Sequence, residues 1–408
     1  MTNYNKNLAI FIENYAAGGS DKIARNLVDY LHYNRLFLFV NRDNDTSVLL
    51  KEQLPSNVEL IYYNFITIAR LGKMANSFLT KCKIFYILFK AFNLLIRYPL
   101  IIASIIYFYF VFRKYEIDTL FINNGGYPGG EYCRSATISF RLIILLHSNT
   151  MNCMIYHTVH NIATRPFFIL FTPIEYFYDY LVDKSCKFIV VSNETKEALI
   201  SKRRIKQEPL VIFNGVLKLN YNKKIVNFGT LNLLNIGVIY TIKNQLKLLK
   251  SIKLAIEMGA VDIRLYIVGK EAEIEYIEKL KKYIRDNNLE NIIFFEGFQD
   301  TYKYYEMCDI FVLTSDVESF ALVRTEAMNA YMPVITTNVG DADVQIQNGK
   351  SGFIVDDIED IAKKILYYYQ NREIIVSHGE NAYKIFNEKF KIDKMIKKYQ
   401  DLIDGGSR

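Results

Sequence analysis

The sequence predicts an α/β chain of two Rossmann-like domains, each a parallel sheet with helices on both faces, and three observations carry that prediction. With 408 residues and a hydrophobic fraction of 51%, the chain is long enough to build two ordinary cores. Short apolar runs alternate with amphipathic helical stretches from end to end, the pattern of repeated strand–helix units. Polar or glycine-rich turns follow many of the runs, and they fall on the carboxyl edge where open parallel sheets bind ligands.

In chain order, strands are expected at Leu8–Glu13, Leu36–Asn41, Val58–Tyr62, Ile117–Asn123, Cys153–Val159, Phe188–Ser192 and Leu210–Phe213. A second set follows at Leu233–Ile239, Arg264–Gly269, Ile292–Gly297, Ile310–Leu313, Val334–Thr337 and Phe353–Val355. The polar stretch Lys218–Asn227 between the sets reads as a linker, which puts the domains at 1–217 and 218–388. The helical pattern NQLKLLKSIKLAIEMG stops at Gly259, and Lys391–Ile403 is an amphipathic basic helix that forms most of a closing element, 389–404.

Five cysteines are scattered without a C-x-x-C pair, which argues for a reducing compartment and against a disulfide framework or a zinc site. The N-terminus MTNYNKNLAIFIEN holds only a short apolar strand before Glu13, unlike a signal peptide. The final GGSR is set aside. The net charge is +7, and its placement says more than its size. No Asp or Glu occurs from Leu60 to Tyr115, whereas eight Lys and Arg side chains are interleaved there with IFYILF, FNLLI and YPLIIASIIYFYFVF. The last run, Tyr98–Phe112, has 15 uncharged residues, short of the roughly 20 a spanning helix needs. A peripheral contact with an anionic membrane surface through 60–115 accounts for the missing acids; core packing of the helix accounts only for its apolar residues. Nucleic acid would also accept the charge, but no nucleic-acid motif accompanies it.

Several turns carry candidate binding groups. After the first strand, Gly18 and Gly19 open a helix that starts at Ser20 or Asp21, with either as N-cap; such a turn lets backbone approach a phosphate closely. The loop NNGGYPGGEY (Asn123–Tyr132) is either a structural turn or an acceptor-side surface, through Asn124, Tyr127 and Glu131. In MIYHTVHNIATRP, His157 lies inside the strand as a core or face residue. His160 falls at the strand's carboxyl end, with Arg165 nearby. In the second half, NIGVIYTIKNQ puts Lys243 at a helix start, where an ammonium and free N–H groups suit phosphate. The sequences IVGKE and FEGFQD place Gly269 and Phe298 at successive strand ends. Asp341-Ala342-Asp343 spells D-x-D in a loop, but without the converging oxygen ligands a metal needs it is read as coincidence.

The segment Thr314–Val334, TSDVESFALVRTEAMNAYMPV, carries Glu318 in a turn after a strand and Glu326 eight positions later. A helix opening near Phe320 to Leu322 puts Glu326 in or near its first turn, about 80° and 12 Å from Glu318 if the helix were continuous. On its own this is also what an acidic loop and a dipole-complementing Glu look like. With the motifs around it, the chain resembles the retaining glycosyltransferases of family 4, whose GT-B architecture sets two Rossmann-like domains across a central cleft. The resemblance is strong from Ile236 to Val355 and weak before Asn123.

The resemblance implies a set of roles. His160 and Glu318 are implied as catalytic groups toward the donor sugar. Gly18, Gly19, Lys243, Gly269, Phe298, Ser319, Phe320, Ala321, Leu322 and Glu326 are implied as the donor-binding set, with Glu326 on the ribose. It also implies a UDP-linked nucleotide sugar as donor, no metal or other cofactor, a saccharide or lipid-linked acceptor, and a last helix that returns to the N-terminal domain. A cytoplasmic enzyme on the inner face of a membrane is the corresponding location. Two positions depart from the pattern. Val238 stands where an arginine usually holds the diphosphate, with Arg165, Lys22 or Lys270 as possible substitutes. Tyr331 stands where glycine is usual. A catalytically silent saccharide-binding subunit, a sugar-nucleotide epimerase or a phosphorylase of the same architecture stay open as alternatives.

Overall fold

The computed structural model describes residues 6–13, 18–42, 46, 49–50, 52–76, 83–147, 153–166, 169–226 and 228–405. Cys82 and Lys81 lie outside them, as does Asn227 at the end of the expected linker. The chain divides into two compact units, Met1–Phe213 with Ile396–Arg408, and Asn214–Met395. Each is a doubly wound parallel sheet, the Rossmann-like architecture the sequence predicts.

In the first unit the elements run β1 (Leu8–Ile12), α1 (Gly19–Tyr30), β2 (Leu36–Asn41), β3 (Val58–Tyr63), α2 (Ile68–Asn76), α3 (Lys83–Phe112), β4 (Thr119–Asn124), α4 (Glu131–Leu146) and β5 (Met154–Val159). A 3₁₀ turn (Ile169–Phe171), α5 (Thr172–Asp183), β6 (Lys187–Val190), α6 (Asn193–Arg203) and β7 (Leu210–Val211) follow. The strand order is β3-β2-β1-β4-β5-β6-β7, all parallel, with β1 flanked by β2 and β4 through pairs such as Ile10 with Leu38 and Phe121. β1 and β2 are buried along their whole length, so they read as unbroken apolar runs rather than as alternation.

Side chains of β4 alternate between faces. Leu120 and Ile122 join Phe108, Phe112 and Phe140 in one core. Phe121 turns the other way and meets Tyr399 at 5.7 Å between ring centroids. Tyr399 belongs to the C-terminal segment of this unit, where the Leu402 carbonyl also accepts a hydrogen bond from Tyr156 at 3.2 Å.

The second unit holds β8 (Leu231–Ile236), α7 (Gln245–Glu257), β9 (Ile263–Val268), α8 (Ile274–Asp286), β10 (Ile293–Gly297), α9 (Tyr302–Met307), β11 (Ile310–Leu313), α10 (Leu322–Asn329) and β12 (Val334–Thr337). Then come α11 (Ala342–Gln345), β13 (Gly352–Val355), α12 (Ile358–Gln370), α13 (Arg372–Ile385) and the start of α14 (Ile392–Ile403). Its sheet order is β10-β9-β8-β11-β12-β13, again parallel throughout.

All thirteen expected strands are present, most with ends moved by one or two residues. β8 is the larger correction, since it stops at Ile236 rather than Ile239. Gly237 turns the chain so tightly against Gly269 that a Cβ on Gly269 would lie 1.9 Å from the Gly237 carbonyl oxygen. The helix after β1 begins at Gly19 with Gly18 as N-cap, not at Ser20 or Asp21. Asp21 caps from inside the first turn, accepting the Gly18 N–H at 3.0 Å. The stretch read as a linker is tied to the second unit. Lys224 Nζ donates to the carbonyls of Tyr305 and Glu306 at 2.6 and 2.9 Å, and Tyr221 stacks on Tyr302 at 4.8 Å.

One ion-pair network in the first unit gave no sequence signal. Arg134 and Arg203, both fully buried, hold Glu175 and Asp179 between α4, α5 and α6 at 2.7–3.0 Å. Arg97 and Glu131 extend it. Burial alone would raise the Glu175 carboxyl, but Arg134, Arg97 and Arg203 bring it down to about 2. Removing the Arg203 guanidinium leaves the buried cluster one positive charge short, with Arg134 left to hold Asp179. Arg203→Met is therefore expected to destabilise the first unit by about 3–5 kcal/mol, read as a lowered thermal midpoint. A midpoint within one degree or so of the wild type would mean the network contributes nothing.

Candidate functional site

In each sheet the strand order reverses once, at β1/β4 in the first unit and at β8/β11 in the second. At such a reversal the connections leave in opposite directions, which opens a crevice at the carboxyl ends. Most of the candidate residues lie on the turns beside these two points.

In the second unit, β8 leads into a 3₁₀ turn, Thr241–Lys243, and then α7, which Asn244 caps through its side chain from a left-handed conformation. β11 leads into Thr314–Ala321 and then α10. The two connections are stitched together. The Thr314 hydroxyl donates to the Asn244 carbonyl at 3.0 Å, and the Asp316 N–H donates to the Ile242 carbonyl at 2.9 Å. This brings Lys243 and Glu318, 75 residues apart, into contact at 2.5 Å between Nζ and Oε1. Ser315 Oγ donates to the same carboxylate oxygen at 2.7 Å. Gly340 closes the other side, where a Cβ would lie 2.9 Å from the Glu318 Cβ.

α10 begins at Leu322 with no side-chain cap on its first turn. Ser319, Phe320 and Ala321 are buried just before it, with Phe320 against Phe390 at 5.7 Å, so this stretch offers backbone rather than side chains. Glu326 is in the second turn of α10, not the first, and its Oε2 accepts a hydrogen bond from Tyr305 at 2.9 Å. Burial and then Glu326 push the Tyr305 hydroxyl well up, so it is a proton donor at any physiological pH. Gly269 closes the end of β9. Phe298, after β10, projects almost fully into solvent at 86% exposure, while Val238 is also exposed.

In the first unit the turn after β1, the end of β4 and the end of β5 are joined by one amide. Asn123 Nδ2 donates to the Ser20 carbonyl at 3.2 Å, which leaves Oδ1 to accept from His160 Nε2 at 2.7 Å. The His160 proton therefore sits on Nε2, and its buried Nδ1 is a lone pair with no partner among the described residues. Gly18 and Gly19 lie beside this chain of contacts, at the start of α1. Burial lowers His160 to about 4, so it is a neutral acceptor at physiological pH.

His157 is a satisfied core histidine. Asn124 Nδ2 donates to its Nε2 at 3.2 Å, and Nδ1–H meets Thr137 Oγ1 at 2.9 Å. Burial, with Arg134 in second place, lowers it to about 3.

The acceptor-side expectation is corrected. Asn124 is fully buried against His157, and Tyr127 points inward, donating to Asp179 Oδ1 at 2.9 Å between the guanidinium groups of Arg134 and Arg203. Glu131 is engaged by Arg97 and Arg134. A loop of this length needs an interior anchor, and Tyr127 with its neighbours supplies it. Of the four, only Arg165 is exposed, beside a cavity of about 50 Å³ shared with Arg97, Tyr98 and Arg203. Ser315, Tyr305 and Asn123 were missed. Ser315 serves Glu318 from three residues away, Tyr305 reaches Glu326 from another helix, and Asn123 joins Ser20 to His160, and no sequence pattern marks these contacts.

The chain is similar to known glycosyltransferases. Residues 220–385 match the family model described as glycosyl transferases group 1. An uncharacterized glycosyltransferase of Methanocaldococcus jannaschii is 29% identical over 56% of this chain and 63% of its own length. The capsular polysaccharide biosynthesis glycosyltransferase CapM of Staphylococcus aureus is 28% identical over 53% of this chain and 62% of its own. These matches thus span less than two thirds of either relative. Among solved structures, Anabaena HepE in complex with UDP and glucose superposes with a TM-score of 0.69 at 18% identity, over 98% of this chain and 99% of that one. That likeness shows a shared fold, the GT-B architecture of two Rossmann-like domains.

The two buried histidines fix a pH response. Each is held below its ordinary value, so between pH 6.5 and about 4 the unfolded chain binds more protons than the folded one, and stability falls as pH falls. The slope reaches up to about 1.4 kcal/mol per pH unit for each histidine. Thermal midpoints taken from pH 7 to 5 are expected to drop, and His157→Asn to flatten the drop whatever its own midpoint. A flat wild-type profile would contradict neutral burial.

Proposed function

We propose that this chain is a retaining glycosyltransferase of the family 4 type, moving a sugar from a UDP-linked donor to a hydroxyl of a saccharide acceptor without a metal. The observation that carries the reading is the Lys243–Glu318–Ser315 cluster beside the uncapped start of α10, at the strand-order reversal of the unit that matches the group 1 model. The HepE complex with UDP and glucose supports the choice of donor.

The reaction breaks the bond between the anomeric carbon and the diphosphate, so negative charge grows on the leaving oxygen while the sugar becomes oxocarbenium-like. In this reading Lys243 and the N-terminal end of α10 stabilise that oxygen by fixed charge and dipole. In the unliganded protein Glu318 neutralises Lys243. A phosphate is the stronger partner for the ammonium, and its arrival leaves Glu318 to accept hydrogen bonds from sugar hydroxyls. Glu326, oriented by Tyr305, accepts the ribose hydroxyls. His160 serves the sugar through its unpartnered Nδ1, which can take a hydrogen bond from a hydroxyl. The leaving phosphate receives the acceptor's proton, so no separate base is required. Gly18 and Gly19 line the diphosphate, Gly269 and Phe298 the base. Lys270, which follows Gly269 at the strand end beside Val238, supplies the cation that the usual arginine would.

The acceptor is a cell-surface polysaccharide or lipopolysaccharide precursor, lipid-linked and presented at the cytoplasmic face of an anionic membrane, which the basic 60–115 segment contacts. The capsular polysaccharide relative supports that class.

A thermal-shift panel tests the donor. UDP and UDP-sugars are expected to raise the midpoint, corresponding to ~2.7 kcal/mol at a hundredfold excess over Kd, and GDP to raise it less. Glu326→Ala should abolish most of the UDP shift. Glu318→Gln should keep the shift and lose about 10²-fold or more in transfer. If no nucleotide moves the midpoint, the reading fails.

A further inference from the structure

The helices on one face of the first unit are built inside out. On α5 the acids Glu175, Asp179 and Asp183 all point inward, and Arg134 and Arg203 pair with the first two. Its outward face is apolar, with Leu170 in the preceding turn at 82% exposure, Ile174 at 46% and Phe177 at 63%. A helix against water shows the reverse arrangement. Here both the burial of charge and the exposure of hydrocarbon are unfavourable in water. They become consistent if the medium outside this face is itself apolar.

α3 repeats the arrangement. It buries Ser104, which donates to Ser135 of α4 at 2.7 Å, and exposes Ile84, Leu88, Leu95, Ile102, Ile106 and Phe110. These follow at intervals of four and seven, one continuous stripe of about 39 Å at 1.5 Å per residue. By length and composition Tyr86–Phe112 could cross a membrane, and only 17% of its apolar 18-residue window is buried, far less than in a core helix. It does not stand free, however. Ile101, Phe108 and Phe112 pack into the unit, and Arg97 is held by Glu131 and Glu175. α3 and α5 meet at Tyr98 and Phe171, 5.3 Å apart, and the exposed Leu145 and Leu146 end α4, which packs against both.

We propose that these faces of α3, α4 and α5 form one lipid-immersed surface, by which the first unit lies in the plane of an anionic bilayer without crossing it. Charge complementarity selects lipid over a second copy of the chain. No acid occurs on the segment from Leu60 to Tyr115. Cations sit over tyrosine rings on α3 and α5, Lys90 on Tyr86, Arg113 on Tyr109 and Lys184 on Tyr180, at 4.6–5.9 Å. Tyrosine with lysine or arginine is the pairing suited to head groups above a hydrocarbon layer. This deepens the proposed membrane contact. It adds α5, outside the basic segment, and makes hydrocarbon rather than charge the main attraction.

The chain has no tryptophan, so Phe177→Trp provides a single optical probe. With vesicles of phosphatidylglycerol and phosphatidylcholine, its emission is expected to shift to the blue and to be quenched by brominated acyl chains. Val261→Trp, exposed on the second unit, should show neither. Binding followed by flotation should largely survive about 1 M NaCl, where the Debye length is ~3 Å. It should weaken about tenfold or more in Ile174→Glu/Phe177→Glu. Absence of quenching at 177, complete release by salt, or self-association through this face without lipid would overturn the proposal. Because the readout is lipid contact, UDP binding and sugar transfer measured on the same samples fail or hold independently of it.

Discussion

A single topological constraint organises both units. When the strand order of a parallel sheet reverses, the turns after two neighbouring strands part, and backbone and side chains at their ends face an opening rather than each other's helices. In the second unit this separates the connections after β8 and β11 enough to leave room, yet Thr314 and Asp316 tie them together within hydrogen-bond distance. Lys243 and Glu318 meet only because of that tie. In the first unit the same reversal sets Ser20, Asn123 and His160 in one line of hydrogen bonds. The chemistry proposed for this chain rests on these turns, and the rest of each unit holds them in register.

Tyr331 and Val238, the two positions that depart from the family 4 resemblance, have different surroundings. Tyr331 adopts φ 55, the left-handed region that favours glycine, and the Cβ is tolerated there because its ring stacks on Tyr383 at 4.0 Å. The backbone at that point is fixed by Gly379, where a side chain would lie 2.1 Å from the Tyr331 carbonyl oxygen. Tyr331 is thus a packing solution to a glycine's position. Val238 is an exposed residue just past the end of β8, and nothing packs it into a core role.

The charged interior of α4, α5 and α6 and the apolar exterior of α3 and α5 are two sides of one arrangement. Three guanidinium groups, of Arg97, Arg134 and Arg203, face three carboxylates, of Glu131, Glu175 and Asp179, so this paired cluster carries no net charge. Tyr127 fixes the glycine-rich loop after β4 into that cluster. Of the loop's polar residues, attractive as surface contacts when read in sequence, Tyr127 and Glu131 are drawn into this cluster and Asn124 to His157.

The sequence by itself determined the strands and their parallel class, because apolar runs bounded by turns are local signals that a sheet buried on both faces requires. It also singled out Lys243, Glu318, Glu326 and His160 as candidates on the segments that follow β8, β11 and β5. It could not decide which of them touch. The Lys243–Glu318 pair spans 75 residues, and Tyr305 reaches Glu326 across 21. Nor could it say that Asn124 and Tyr127 turn inward or that α5 turns its acids away from solvent. A helical sequence specifies which residues share a face, whereas which face is buried depends on partners that only the folded sheet brings alongside.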